Sequence, residues 1–82
     1  MTNLLLETDT GDHYVCAEYR PKTGRLYVVS LSRYALFDRE EMVLDYNKVA
    51  VPVVAVLYEG TYPDGISPYD EEAVKAYVKG TL

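Results

Sequence analysis

Apolar residues recur along this chain at two different periods, and the change between them separates a strand-forming stretch from a helix-forming tail. Asn3-Leu4-Leu5-Leu6-Glu7 predicts a short strand, stopped by the polar run Thr8-Asp9-Thr10-Gly11-Asp12, where a turn belongs. From His13 to Tyr19 the pattern alternates. His13, Val15, Ala17 and Tyr19 share one face and Tyr14, Cys16 and Glu18 the other, as in a strand with at least one half-buried side. Arg20-Pro21-Lys22-Thr23-Gly24-Arg25 joins the fixed φ of a proline to a glycine able to take positive φ, between two apolar runs, and predicts a hairpin. Its return strand, Leu26-Tyr27-Val28-Val29-Ser30-Leu31, is apolar at nearly every position. That pattern predicts a central strand or one covered on both faces, running on as far as Leu36.

The segment 38–48 reads two ways. Asp38 with Glu41 three residues later imitates a capping box, and Met42, Val43, Tyr46 and Val49 have helical spacing. Met42, Leu44 and Tyr46 also alternate against Val43, Asp45 and Asn47, which tips the reading to a strand. The run Val49 to Tyr58 is the most hydrophobic in the chain and rich in β-branched residues, so its second half, started by Pro52, is expected to be a buried strand at the core of the sheet. A loop with a Pro-Asp-Gly turn follows. Ser67 as N-cap, Pro68 at the first helical position, Asp70 completing a capping box, Glu71 and Glu72 in the first turn, Lys75 and Lys79 late, and Gly80 as terminator then specify a helix. Tyr69, Ala73, Val74, Tyr77 and Val78 form its apolar stripe. The predicted architecture is α+β: a small antiparallel sheet of about four to five strands with one C-terminal helix packed on one face, in a single domain spanning residues 1–82.

Composition narrows the functional classes. With 82 residues and 49% hydrophobic content the chain supports one thin core, which argues against a deep enclosed active site. The net charge of −5 disfavours nucleic acid and anionic lipid and favours basic partners. No run approaches the roughly 20 apolar residues of a membrane span, and Leu4 to Leu6 is too short for the core of a secretion signal, so no membrane association is expected. The lone Cys16 fits a reducing, cytoplasmic setting. Nine tyrosines stand beside one phenylalanine and no tryptophan, and a ring with a polar tip serves either the edge of a small core or a contact surface.

Catalytic, cofactor and metal sites are not expected. Asp9-Thr10-Gly11 resembles the aspartic-protease tripeptide, but Glu7-Thr8 precedes it and no later apolar-apolar-Gly element braces it, so it reads as a turn. His13 and Cys16 suggest a thiol–imidazole pair, yet their odd separation on one strand points them to opposite faces. One His, one Cys and scattered carboxylates do not compose a zinc or calcium set, and the five glycines stand singly, without a phosphate loop. Two binding readings remain. Glu40, Glu41 and Asp45 with Tyr34, Tyr46 and Tyr62 form a candidate acidic, tyrosine-rich contact for a larger protein, itself basic and nucleic-acid-binding in the sharper version. In size, acidity and standalone character such a module is similar in type to phage and mobile-element inhibitors of bacterial defence, the anti-CRISPR and anti-restriction proteins, with no shared motif. Arg20, Lys22 and Arg25, flanked by Tyr19 and Tyr27, form the alternative, a basic ribbon for nucleic acid. Exposed strand edges leave a homodimer open as well.

Overall fold

A computed structural model describes residues 2–81. Six antiparallel strands, β1 (Thr2–Thr8), β2 (His13–Arg20), β3 (Arg25–Val28), β4 (Arg33–Asp38), β5 (Val43–Tyr46) and β6 (Val49–Gly60), pair each with the next, and β6 returns to pair with β1. The sheet is therefore a closed barrel rather than the four-to-five-stranded layer expected from the sequence. A helix, α1 (Glu71–Thr81), packs on its outside. Closure follows from the length of β6: its first four residues pair with β5 and the stretch from Val53 to Gly60 pairs with β1. Among the described residues every strand then has a strand neighbour on both sides.

Alternation sorts the apolar residues between two cores. Leu4 and Leu6 of β1, Cys16 of β2, Leu26 and Val28 of β3, Ala35 and Phe37 of β4, Leu44 of β5 and Val53 of β6 fill the interior. Leu5 and Val15 point outward and lie with Tyr62, Val74 and Val78 in a second cluster beneath α1. Thus Leu4-Leu5-Leu6 is apolar throughout because both of its faces are covered.

Where the strands depart from expectation, local backbone geometry is the reason. Glu18 takes a left-handed φ of 58°, and the β2–β3 register slips between Ala17 and Arg20. The bulge turns Tyr19 away from the Val15 face and into the barrel, where its ring lies 6.5 Å from that of Phe37. The β3 run does not reach Leu36 unbroken: a 3-10 turn at Val29–Leu31 and a left-handed Ser32, φ 55°, divide it into β3 and β4. Residues 38–48 contain a turn, a strand and a tight loop. Asp38 Oδ1 accepts from the amides of Glu40 and Glu41, which turns the chain, and β5 is the strand that the alternation predicts. Asn47 and Lys48, with φ of 47° and 65°, make the two-residue turn between β5 and β6. β6 begins at Val49, with Pro52 inside it, and it is a half-exposed wall of the barrel rather than a buried centre.

The Arg20–Arg25 hairpin forms as predicted. Gly24, at φ 78°, lies so close to β4 that an added Cβ would sit 2.7 Å from the Phe37 carbonyl oxygen, so only glycine fits. The helix starts later than its sequence signals suggest. Ser67 caps a preceding turn by accepting from the Tyr69 amide, and Asp70 is the helix cap, its Oδ1 accepting from Ala73 at 3.2 Å. Tyr69 accordingly stands before the helix and outside the apolar stripe, and Gly80 lies inside the last turn rather than ending it.

A polar chain fixes the start of α1 to the barrel. The Val15 amide donates to Ser30 Oγ at 3.0 Å, Ser30 donates to Glu71 at 2.9 Å, and Lys75 donates to the same carboxylate at 3.1 Å. The bond from Ser30, then that from Lys75, holds the Glu71 carboxyl below the usual carboxylate range.

Two outcomes follow. Leu44 is fully buried on a strand of four residues, so Leu44→Ala is expected to lower the urea unfolding free energy by about 3 kcal/mol, a large share of the total for a domain of this size. A carboxyl with a depressed folded pKa stabilises the fold above its unfolded value and loses that contribution as pH falls. Glu71→Gln is therefore expected to be less stable than the parent at neutral pH, with the difference closing in denaturant titrations as pH falls through and below the ordinary carboxylate range.

Candidate functional site

The strand register composes one face on the outside of β3, β4 and β5. Inward Leu26, Val28, Ala35, Phe37 and Leu44 leave Arg25, Tyr27, Tyr34, Leu36 and Asp45 facing outward. Tyr27 lies opposite Tyr34, and Arg25 lies opposite Leu36, which lies opposite Asp45. Tyr34 and Leu36 are 47% and 53% exposed, near the middle of this face. Two adjacent large apolar side chains left half-open on a small barrel form a surface suited to contact.

Toward the barrel end the face runs into an open groove of about 610 Å³ between the β2–β3 hairpin and the β4–β5 turn. Leu36, Phe37 and Val43 contribute its apolar lining. Asp38, Glu40, Glu41 and Asp45 supply carboxylates, and Lys22 stands on the hairpin side. Arg39 also lines the groove, but its guanidinium is engaged in a two-bond pair with Glu59, both distances 2.8 Å. The bonds from Arg39 hold the Glu59 carboxyl below its ordinary range, against a smaller opposing effect of burial. The groove is thus acidic on balance and favours a basic occupant.

At the other side of the face two tyrosines from separate segments meet one carboxylate, and a third ring packs against both. The Tyr27 ring lies 5.0 Å from Tyr34 and 6.1 Å from Tyr69. Tyr34 donates to Glu18 Oε1 at 3.1 Å and Tyr69 to Oε2 at 2.7 Å. Those hydrogen bonds to the carboxylate are the leading reason both phenols titrate above their ordinary range. The bulge at Glu18 is what places its carboxylate between them.

Of the residues singled out by sequence, Glu40, Glu41 and Asp45 line the groove, Asp45 also borders a neighbouring hollow with Tyr34, and Tyr46, on the inward face of β5 with Leu44, packs partly against the interior core. Tyr46 lines a shallow hollow with Tyr34, Leu36 and Asp45, under the guanidinium of Arg33 at 5.5 Å from its ring. Tyr62 does not join them: it is buried against the barrel beneath α1, stacked on Tyr58 at 5.0 Å. The basic trio is divided. Lys22 faces the acidic groove, Arg25 rests 4.6 Å above the Tyr34 ring, and Arg20 shares a hollow with Glu18. Sequence reasoning did not single out Glu18, Leu36 or Tyr69 for this surface. Only the exposed, apolar position of Leu36 in an alternating strand could have indicated one of them.

Residues considered for chemistry are held apart. Asp9 lies exposed in the Thr8–Asp12 turn, where Thr8 and Gly11 make the closing backbone bonds. His13 is exposed, with Nε2 3.3 Å from Glu7 Oε2, whereas Cys16 is inside the barrel. No group of three or more His, Cys, Asp or Glu suited to a metal occurs among the described residues. Burial pushes the Cys16 thiol up to about 12. Native protein is therefore expected to leave Cys16 unmodified by a thiol-specific reagent at about pH 8, with one equivalent reacting once urea unfolds the chain. In comparison with known proteins, no family model, no curated protein and no solved structure matches the chain.

Proposed function

We propose that the protein is a binding module that docks on a basic surface of a larger protein through the outer face of β3–β5 and the adjoining acidic groove, occluding that surface as an inhibitor or adaptor. The observation that carries the reading is Tyr34 and Leu36 standing half-exposed side by side on β4, rimmed by Asp45, Glu40 and Glu41. An apolar centre with an aromatic anchor and a charged rim has the anatomy of a protein contact. The net charge of −5 and the acidic groove support a cationic partner. A nucleic-acid-binding protein, such as a nuclease of a bacterial defence system, presents the kind of surface that such a module would cover.

The test is capture from lysate of the native host after nuclease treatment, followed by kinetics on the retained protein. One protein in stoichiometric amount is expected to remain. Tyr34→Ala is expected to weaken the complex about thirtyfold, and Leu36→Asp to abolish it. Glu40→Lys with Glu41→Lys is expected to slow association about tenfold at low salt, whereas Lys22→Glu, which replaces a cation lining the groove by a further carboxylate, is expected to speed it. Loss of all captured material on nuclease treatment, with the charge pattern reversed, would overturn the reading in favour of nucleic acid on Arg20, Lys22 and Arg25.

A further inference from the structure

The outer face of β3 to β5 carries a charge pattern that its own copy complements. Arg25 of β3 lies opposite Leu36 of β4, and Leu36 lies opposite Asp45 of β5, so the three form one row across the strands. Adjacent strands stand about 4.8 Å apart, which places a cation and a carboxylate at nearly equal distances on either side of the leucine. All three side chains are exposed, and Tyr34, two residues along β4, shares their face. With β4 between them, neither Arg25 nor Asp45 makes an ion pair among the described residues.

The sheet around this row is regular. β3 pairs with β4, β4 with β5 and β5 with β6 without a register shift, whereas the pairs β1–β2, β2–β3 and β1–β6 each contain at least one. Bulges bend the strands that carry them, so the barrel turns its corners at those pairs and leaves β3 to β5 as one evenly twisted face. The helix lies elsewhere, over Leu5 and Val15 of β1 and β2.

We propose that this face pairs with the same face of a second copy, about a two-fold axis that lies in the interface and runs along β4. That axis exchanges the two sides of the row. Arg25 of each copy then meets Asp45 of the other, while Leu36 packs on Leu36 and Tyr34 on Tyr34. An axis laid across the strands would set Arg25 against Arg25 and Asp45 against Asp45, so charge selects the first arrangement. The contact is isologous, as a closed two-fold dimer requires. Facing sheets pack about 10 Å apart with strand directions within about 30°, a gap that an arginine and an aspartate reaching from opposite sides can bridge. The Arg25 guanidinium rests 4.6 Å above the Tyr34 ring, which holds it on the face that it uses. The dimer stands without the docking reading, and because both use one face, a bound partner and a second copy exclude each other.

The experiment is sedimentation velocity of the full chain across a range of concentrations. The mass is expected to rise from 9.3 kDa toward twice that value. A Kd of about 20 μM is expected, as for a small, partly polar interface. Arg25→Asp and Asp45→Arg are each expected to weaken self-association at least about tenfold, because each sets like charges against one another at both ends of the row. Both changes in one chain are expected to restore it to within about threefold of the parent, and the two single variants mixed together to form a one-to-one heterodimer. These substitutions replace exposed side chains, so an unchanged melting temperature separates loss of contact from loss of fold. A monomer at every concentration, a dimer that neither single variant weakens, or no recovery in the double variant and the mixture overturns the proposal. If the chain stays monomeric while Tyr34→Ala still releases the captured protein, the dimer is wrong and the docking reading stands. If the dimer responds as described and no protein is captured, the docking reading fails and the dimer stands.

Discussion

The hydrogen bonds between β6 and β1 turn a ribbon of sequential strands into a closed wall, and the inside of that wall is the larger of the two cores. Without them β1 and β6 would each present a free edge, and Leu4, Leu6 and Val53 would line an open trough. Pro52 fits this arrangement because it sits where β6 passes from one partner to the other. Its missing N–H is not needed there, its carbonyl accepts from Asp9, and the next amide, of Val53, donates to the Met42 carbonyl. The register between β1 and β6 slips twice along its length, which lets a long strand curve around a barrel of six.

Closure also divides the outer surface by use. Under α1 the outward residues of β1 and β2 are apolar, and the Val15–Ser30–Glu71 hydrogen-bond chain fixes the helix start over them. On β3 to β5 no helix covers the sheet, and the outward residues are tyrosine, leucine and charged side chains. The tyrosine count therefore has two physical explanations in one molecule. Tyr19, Tyr58, Tyr62 and Tyr77 complete packing, whereas Tyr34 and Tyr69 hold the Glu18 carboxylate at the surface with the Tyr27 ring packed against theirs. A thin core benefits from rings that are large yet tolerate water at one end.

How much of the candidate site was legible depended on which residues were local to one another. Glu40, Glu41 and Asp45 were found because they lie within six positions, and Tyr34 and Tyr46 because they flank them. Glu18 meets Tyr69 across 51 positions, a pairing that no spacing rule reaches. Tyr62 was misplaced for the same reason: its loop looked like exposed chain, and only the path of that loop beneath the helix buries it.

By itself the sequence determined the hairpin at Gly24, the turn at Asp9 to Gly11, the strands on either side of the ambiguous segment 38–48 and the helix with its acidic first turn, because each depends on φ preferences and on alternation within a few residues. Tertiary structure alone decided that the sheet closes, that Glu18 bulges and reverses the face of Tyr19, and that β6 is wall rather than centre. These are properties of strand pairing. A strand's periodicity specifies that it has an apolar face, but which neighbours it bonds, and therefore which face becomes the inside, is settled only when the last strand finds the first.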